Sequence, residues 1–191
     1  MSELSNLPAL RCLGGLADVR PAIVVDTREQ TPLVFTRLPS RTGTLQSGDY
    51  SFAGAEDHFA VERKSIADLV ACCAGDNRDR FFRELHRLRG FRFKRLLVVG
   101  TVGEIERGEY RSQVKPAAVL ATLSAIEARF DVRVVFVPSP VEGARKVESW
   151  AYWYARELVG AVNNVACAHG VTGRVKKLYP APTKPVHPQA N

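Results

Sequence analysis

The sequence predicts an α/β domain in which a mixed central β-sheet is flanked by helices. Two observations support this fold class. Short apolar runs rich in β-branched residues alternate with helical patterns in the second half of the chain, whereas the first half is richer in strand patterns. In addition, 191 residues with an apolar content of 46% are enough to build one domain with a complete core.

Strands are predicted where a short run of apolar and β-branched residues is bounded by turn residues. These runs are 22–25, 49–53, 58–64, 96–100 and 132–137. The stretch 36–48 contains Pro39, Gly43 and Gly48, so we expect turns there.

Helices are predicted from capping signals and from apolar residues at helical spacing. Ser65 opens an S-x-x-D capping-box pattern, so one helix is expected to begin there. Pro116 suits the first turn of another helix, which should end at Phe130. Two more helices are predicted over about 78–89 and about 141–162, and the first of them carries an apolar stripe beside a basic one.

The chain is expected to consist of three parts. Residues 1–20 form a flexible lead-in, residues 21–162 the folded domain, and residues 163–191 a basic, proline-rich and flexible tail. The lead-in has no basic start followed by a long apolar run, and no stretch of about 18 apolar residues occurs, so neither a signal peptide nor a membrane partner is expected. We predict a cytoplasmic location, at the nucleoid in a prokaryote or virus and in the nucleus of a eukaryote.

The net charge of +7 predicts a polyanionic partner, most simply nucleic acid. The charge is concentrated, because residues 76–95 hold eight basic side chains against three acidic ones. Many soluble proteins are basic for no specific reason, and a basic helix face is often only solvated. The candidates for DNA contact are the arginines of the predicted helix, Arg78, Arg80, Arg83 and Arg87.

A cluster of acidic and basic residues ends the predicted strand 58–64. Side chains two residues apart on a strand share a face, so Glu62 and Lys64 should lie together. If Asp49 from the preceding Gly48-Asp49 turn lies alongside, two carboxylates and one ammonium group form a pocket. Such a set could hold a hard divalent cation and steady an attacking water, which predicts metal-dependent phosphodiester hydrolysis.

Asp26 and two arginines complete the candidate site. Asp26 ends the first predicted strand and could reach the same cation, directly or through water. Arg28 and Arg63 could neutralise phosphate or orient the acids. Each residue also has a plainer interpretation: Asp26 could only end a strand, Gly48-Asp49 could be an ordinary turn, Glu62 and Lys64 a surface pair, and Arg28-Glu29 a solvated pair.

Taken together, these residues resemble the XPF-type structure-specific nucleases, a branch of the PD-(D/E)XK restriction-endonuclease-like superfamily. The family's signature is G-D, a variable gap, E-R-K, three residues and D. It is matched by Gly48-Asp49, Glu62-Arg63-Lys64 and Asp68. The upstream V-D-x-R-E pattern is matched by Val25-Asp26-Thr27-Arg28-Glu29, and an arginine-bearing helix follows the signature.

The resemblance implies a restriction-endonuclease-like fold and Mg²⁺ or Mn²⁺ as cofactor. It places the ion at Asp49, Glu62 and the backbone carbonyl of Arg63, with Asp26 nearby and Lys64 in the catalytic role. It further implies cleavage of DNA at flaps, forks and crossovers in repair or recombination, and pairing of nuclease domains into homodimers or heterodimers.

Two features of the family's usual architecture are not found in this sequence, namely a tandem helix-hairpin-helix module and a helicase domain. Branch recognition is therefore expected to come from the nuclease domain, the basic tail or a partner. Two other interpretations stay open: a nuclease-like DNA-binding module that does not cut, and a nuclease that acts on ordinary duplex DNA.

Overall fold

The computed structural model describes residues 20–170, except for the side chain of Asp76. Residues 20–155 belong to one compact unit, and residues 156–170 belong to a second. The predicted lead-in and most of the predicted tail lie outside the described residues. Within the described range, no helix is both long and apolar enough to cross a bilayer.

The first unit is built on a six-stranded mixed sheet with the strand order β2-β1-β3-β4-β5-β6. The strands are β1 (Ile23–Asp26), β2 (Ser40–Gly43), β3 (Tyr50–Phe52), β4 (Phe59–Ser65), β5 (Phe93–Val99) and β6 (Arg133–Val137). β3 runs antiparallel to both of its neighbours, while the other pairs are parallel. The predicted fold class, an α/β domain with a mixed central sheet flanked by helices, is confirmed.

The helices are α1 (Ile66–Ala71), α2 (Asp76–Leu88), α3 (Val102–Glu106), α4 (Pro116–Phe130) and α5 (Pro140–Ala168). The predicted start at Ser65 is confirmed, because the Ser65 hydroxyl accepts the N–H of Asp68 at 3.1 Å and so caps α1. The bounds predicted for α4 are also confirmed. The long α5 continues six residues beyond the predicted end at 162.

Two short elements differ from the prediction. Ser40–Gly43, expected to consist of turns, is the edge strand β2 and pairs in parallel with β1. The five-residue helix α3 is not among the predicted helices. A complete capping box of Thr101 and Glu104 closes its N-terminus.

Helices pack on both faces of the sheet. On one face, α1, α2 and α4 cover Leu96 and Val98 and form a continuous apolar core with them. On the other face, Tyr154 of α5 packs against Phe59 and Phe93, with ring centroids 5.6 and 5.7 Å away. Because side chains alternate along β4, each residue of its charged C-terminal half is assigned to one face or the other.

Candidate active site

Main-chain pairing of three strands brings the distant acidic residues together. The N–H of Asp49 donates to the carbonyl of Val61 at 2.8 Å, and the N–H of Asp26 donates to the carbonyl of Asp49 at 2.9 Å. Gly48 allows this approach, because its φ is +79° and a Cβ there would lie 3.1 Å from the carbonyl oxygen of Val61. The Gly48-Asp49 turn therefore holds Asp49 against β4.

Asp49 is a largely buried acid with an unusual affinity for protons. Its Oδ2 accepts the backbone N–H of Arg63 at 2.7 Å, which fixes the carboxyl group beside β4. Burial and then the neighbouring charge of Glu62 raise the pKa of Asp49 to about 7. Because burial and Glu62 disfavour its ionised form, the Asp49 carboxylate is stabilised by a cation that binds to it.

Glu62 and Lys64 share one face of β4, as the strand period predicts. The ammonium group of Lys64 lies 2.5 Å from Oε1 of Glu62, and both side chains are mostly shielded from solvent. Burial raises the pKa of Glu62, against the opposing effect of Lys64. Burial alone would lower the pKa of Lys64, but the Glu62 carboxylate outweighs it and raises that pKa.

Asp26 is held in a closed set of hydrogen bonds. Its Oδ1 accepts the backbone N–H and the Nε of Arg28, and its Oδ2 accepts Nη2 of Arg28 and the N–H of Leu45. Burial acts to raise the pKa of Asp26, but these hydrogen bonds outweigh it and lower that pKa. Because Nη2 of Arg28 also donates to the carbonyl of Leu45, the pair clamps the loop that leads to Asp49.

Glu29 forms the second closed network, on the opposite side of β4 from Glu62. Its two carboxylate oxygens accept Nε and Nη2 of Arg63, each at 3.1 Å. Thr31 and Tyr50 add hydrogen bonds at 2.8 and 3.3 Å. The plainer interpretation of Arg28-Glu29 as a solvated pair is therefore wrong, because each residue bonds to a different partner within the site.

The acids line a cleft of about 170 Å³ beneath α2. Asp49, Glu62 and Lys64 form one side of it, together with Asp26 and Arg28. Arg80, Glu84 and Arg87 close it from α2. The cleft thus combines an acidic floor with two guanidinium groups at its rim.

The four arginines proposed for DNA contact are divided between two sides of α2. Arg80 and Arg87 reach the cleft, and Arg83 is exposed on the same basic stripe. Arg78 lies elsewhere: its Nη1 donates to the carbonyl of Cys73 at 3.1 Å and to Thr122 at 3.2 Å, and its guanidinium lies 4.5 Å from the Phe82 ring. A DNA contact by Arg78 stays a prediction.

The donor set fits a hard divalent cation. Asp49 and Glu62 offer carboxylate oxygens at one cleft, and both pKa values are raised by burial, so a cation would relieve their mutual repulsion. Among residues 20–170, no three His, Cys, Asp or Glu side chains are grouped to hold a metal ion. Asp26 lines the same cleft, and both of its carboxylate oxygens accept hydrogen bonds from Arg28.

Two acids of this region are not among the predicted site residues. Glu29 belongs to the V-D-x-R-E motif, but its partner Arg63 lies 34 positions away, beyond any local pattern. Glu84 lies 3.4 Å from Arg80 and lines the cleft. Its position four residues after Arg80 on the basic stripe was an available signal.

The chain matches the model of the ERCC4 domain over residues 25–149. Two solved structures of XPF from Aeropyrum pernix have the same fold, one of them in complex with DNA. Their TM-scores are 0.59 and 0.57, each at 23% identity, and the matches cover 71% and 72% of this chain. The chain spans 62% and 66% of the length of those two proteins. No curated protein matches. The resemblance to XPF-type nuclease domains is thereby confirmed.

Proposed function

We propose that this chain, which belongs to the ERCC4 domain family, is a divalent-metal-dependent DNA endonuclease that cuts branched DNA. The observation that carries the proposal is the shared cleft of Asp49, Glu62 and Lys64 beneath the guanidinium groups of α2. The complex of Aeropyrum pernix XPF with DNA supports the same class of substrate.

Asp49 and Glu62 would hold Mg²⁺ or Mn²⁺ together with the backbone carbonyl of Arg63. When bound, such an ion supplies Lewis acidity at a phosphate oxygen and lowers the pKa of a coordinated water. Asp26 and Arg28 act on this set indirectly, because they clamp the loop that carries Asp49.

Lys64 orients the attacking water or a phosphate oxygen. Its ammonium group lies against Glu62, and the raised pKa keeps it protonated near neutral pH. A fixed positive charge at this place would stabilise the negative charge that accumulates on phosphate during the attack.

Arg80 and Arg87 bind the phosphates that flank the cleavage site, with Arg83 beside them on the exposed stripe. Arginine suits this task because its planar guanidinium group pairs with two phosphate oxygens at once. The preference for flaps, forks or junctions, the pairing into dimers and a role in repair or recombination are proposed on the strength of the family alone.

The test is a cleavage panel of linear duplex, flap, fork and four-way DNA of matched sequence, with Mg²⁺, with Mn²⁺ and with chelator. Asp49→Asn and Glu62→Gln should abolish cleavage by the purified protein. The matched control is Glu109→Gln, which neutralises an exposed acid on another surface and should cut at the wild-type rate.

Equal cleavage by the wild type and the two cleft variants would show that the site lies elsewhere. DNA binding without cleavage under every metal condition would favour the DNA-binding module that does not cut. Equal rates on duplex and branched DNA would keep the chemistry and remove the branch preference.

A further inference from the structure

A second concentration of positive charge lies on the sheet face that packs against α5, opposite the cleft. Arg95 of β5 and Arg133 of β6 are register partners in a parallel pair, so their side chains emerge side by side on that face. Lys146 of α5 lies over the Trp150 ring, 5.7 Å from its centroid, and Trp150 contacts Phe93. We call Arg95, Arg133 and Lys146, with the rings of Phe93 and Trp150, the second basic surface.

Arg95 is fixed in place by an aromatic ring and a main-chain carbonyl, neither of which carries a charge to pair with its own. Its guanidinium group stacks on the Phe93 ring at 4.2 Å, and Nη1 donates to the carbonyl of Lys94 at 2.7 Å. Burial and then the adjacent charge of Arg133 lower the pKa of Arg95.

Among the described residues, no carboxylate forms an ion pair with Arg95 or Arg133. Asp131, the acid whose charge reaches Arg95, is bonded to Lys94 at 2.9 Å. Two neighbouring guanidinium groups, neither of them ion-paired within residues 20–170, would be stabilised by an anion from outside the chain.

A groove continues from this surface along the edge of the sheet. It is lined by Val135 and Val137 of β6 and by Arg145 and Lys146 of α5, with Glu142 as its acid. β6 is the edge strand, so the groove opens to the side of the molecule.

We propose that the second basic surface binds the phosphate backbone of a DNA arm that lies outside the catalytic cleft. Phosphate is favoured over bases because both faces of the Phe93 ring are already covered. Phe59 stacks on it with a centroid distance of 4.4 Å, and Arg95 lies at 4.2 Å. The contact is therefore independent of base sequence and depends on salt.

This inference rests on the proposed function for its choice of DNA as the polyanion. A branched DNA has more arms than one cleft can hold, so a surface on the opposite face would add affinity for branched over linear molecules. Such a surface would supply part of the branch recognition.

The test is binding of fluorescently labelled fork DNA, and of a short linear duplex, by the full chain in chelator, measured by anisotropy over a range of salt. In Arg95→Gln/Arg133→Gln, the fork affinity should fall about tenfold, and the salt slope should fall by about two, at about 0.9 for each lost phosphate contact. The linear duplex should be affected less. Arg111→Gln/Lys115→Gln removes the same charge from another exposed surface and should bind like the wild type.

Arg133→Gln alone guards against a folding defect, because Arg133 is exposed, and it should show about half of the change in slope. Equal fork binding by the double variant and its control would overturn the proposal. So would a change in sedimentation without a change in DNA binding, which would mark the surface as an interface between copies of the chain.

A separate cleavage assay with Mn²⁺ distinguishes this result from a failure of the proposed function. If the wild type cleaves the fork and the double variant binds it unchanged, only the proposal for the second basic surface is refuted. Reduced binding by the double variant, with no cleavage by the wild type, sinks only the proposed catalysis.

Discussion

The two sides of β4 use the same kinds of charge for opposite purposes. On the cleft side, Glu62 and Lys64 sit beside Asp49, whose pKa is raised to about 7 by burial and by Glu62. On the other side, Arg63 and Glu29 form a bidentate pair with Thr31 and Tyr50 as further partners. The tripeptide Glu62-Arg63-Lys64 thus contributes to two sites: a cluster whose carboxylates still repel each other, and a network whose charged groups are paired.

The difference separates reactivity from support. A satisfied network stabilises the fold and has nothing left to offer a ligand. Two carboxylates that repel each other lower the stability of the folded protein, and a bound cation restores that stability. Stability and activity often oppose each other in this way at functional sites. Variants on the two sides of β4 should therefore separate cleavage from folding.

The largest effect is expected from Asp49→Asn. The amide keeps an oxygen for the N–H of Arg63 but loses the charge that would hold the cation, so cleavage should fall by at least about 100- to 1,000-fold. The melting temperature should stay equal or rise, because a buried carboxylate has been neutralised. Single-turnover cleavage and thermal denaturation measure the two outcomes; a lower melting temperature would contradict the comparison.

The next effect is expected from Glu29→Gln. This change leaves Arg63 charged and partly buried without its partner, so the free energy of unfolding should fall by about 3 kcal/mol. Cleavage per folded molecule should fall far less than in Asp49→Asn. Urea denaturation measures the free energy of unfolding, and a double-mutant cycle with Arg63→Gln measures the coupling between the two residues. A coupling energy near zero would show that the Glu29–Arg63 pair does not stabilise the fold.

Gly48→Ala should affect both sides at once. Gly48 has a positive φ, and an added Cβ would lie close to the carbonyl of Val61. The free energy of unfolding should therefore fall by about 2 kcal/mol. Because the turn would shift Asp49 away from β4, cleavage should fall as well. Gly54→Ala provides the control, since Gly54 also has a positive φ but has open space around it. Equal cleavage by the two variants would show that the close approach at Gly48 is not needed.

The smallest effect is expected from Ser65→Ala, where β4 ends and α1 begins. The loss of the N-cap should lower stability by about 1 kcal/mol. Thr101→Ala removes the cap of α3 and should cost a similar amount. If Ser65→Ala alone reduced cleavage strongly, the cap would also position the neighbouring Lys64.

Local patterns predicted what local physics determines. The shared face of Glu62 and Lys64 follows from the strand period, and the start of α1 follows from its capping box. β2 escaped prediction because Ser40-Arg41-Thr42-Gly43 has no apolar alternation, and its strand character comes from pairing with β1. α3 escaped because five residues are too few to show a period.

Most residues of the candidate site were predicted from the sequence, but the hydrogen bonds between them were not. The closed hydrogen bonding of Asp26 depends on Leu45, 19 positions away, and the Glu29–Arg63 pair spans 34 positions. The separation of Arg78 from Arg80 follows from the helix, since residues two apart point in different directions. Which of the two faces the cleft is decided by how α2 packs.

The hairpin that joins β3 to β4 has a practical consequence for engineering. Asp49 and Glu62 are aligned by main-chain bonds at the base of this hairpin, so the length of its exposed tip near Asp57 is free to vary. This freedom gives a physical reason for the variable gap in the G-D…E-R-K signature. A reporter peptide inserted at the tip should leave the spacing of the two acids intact.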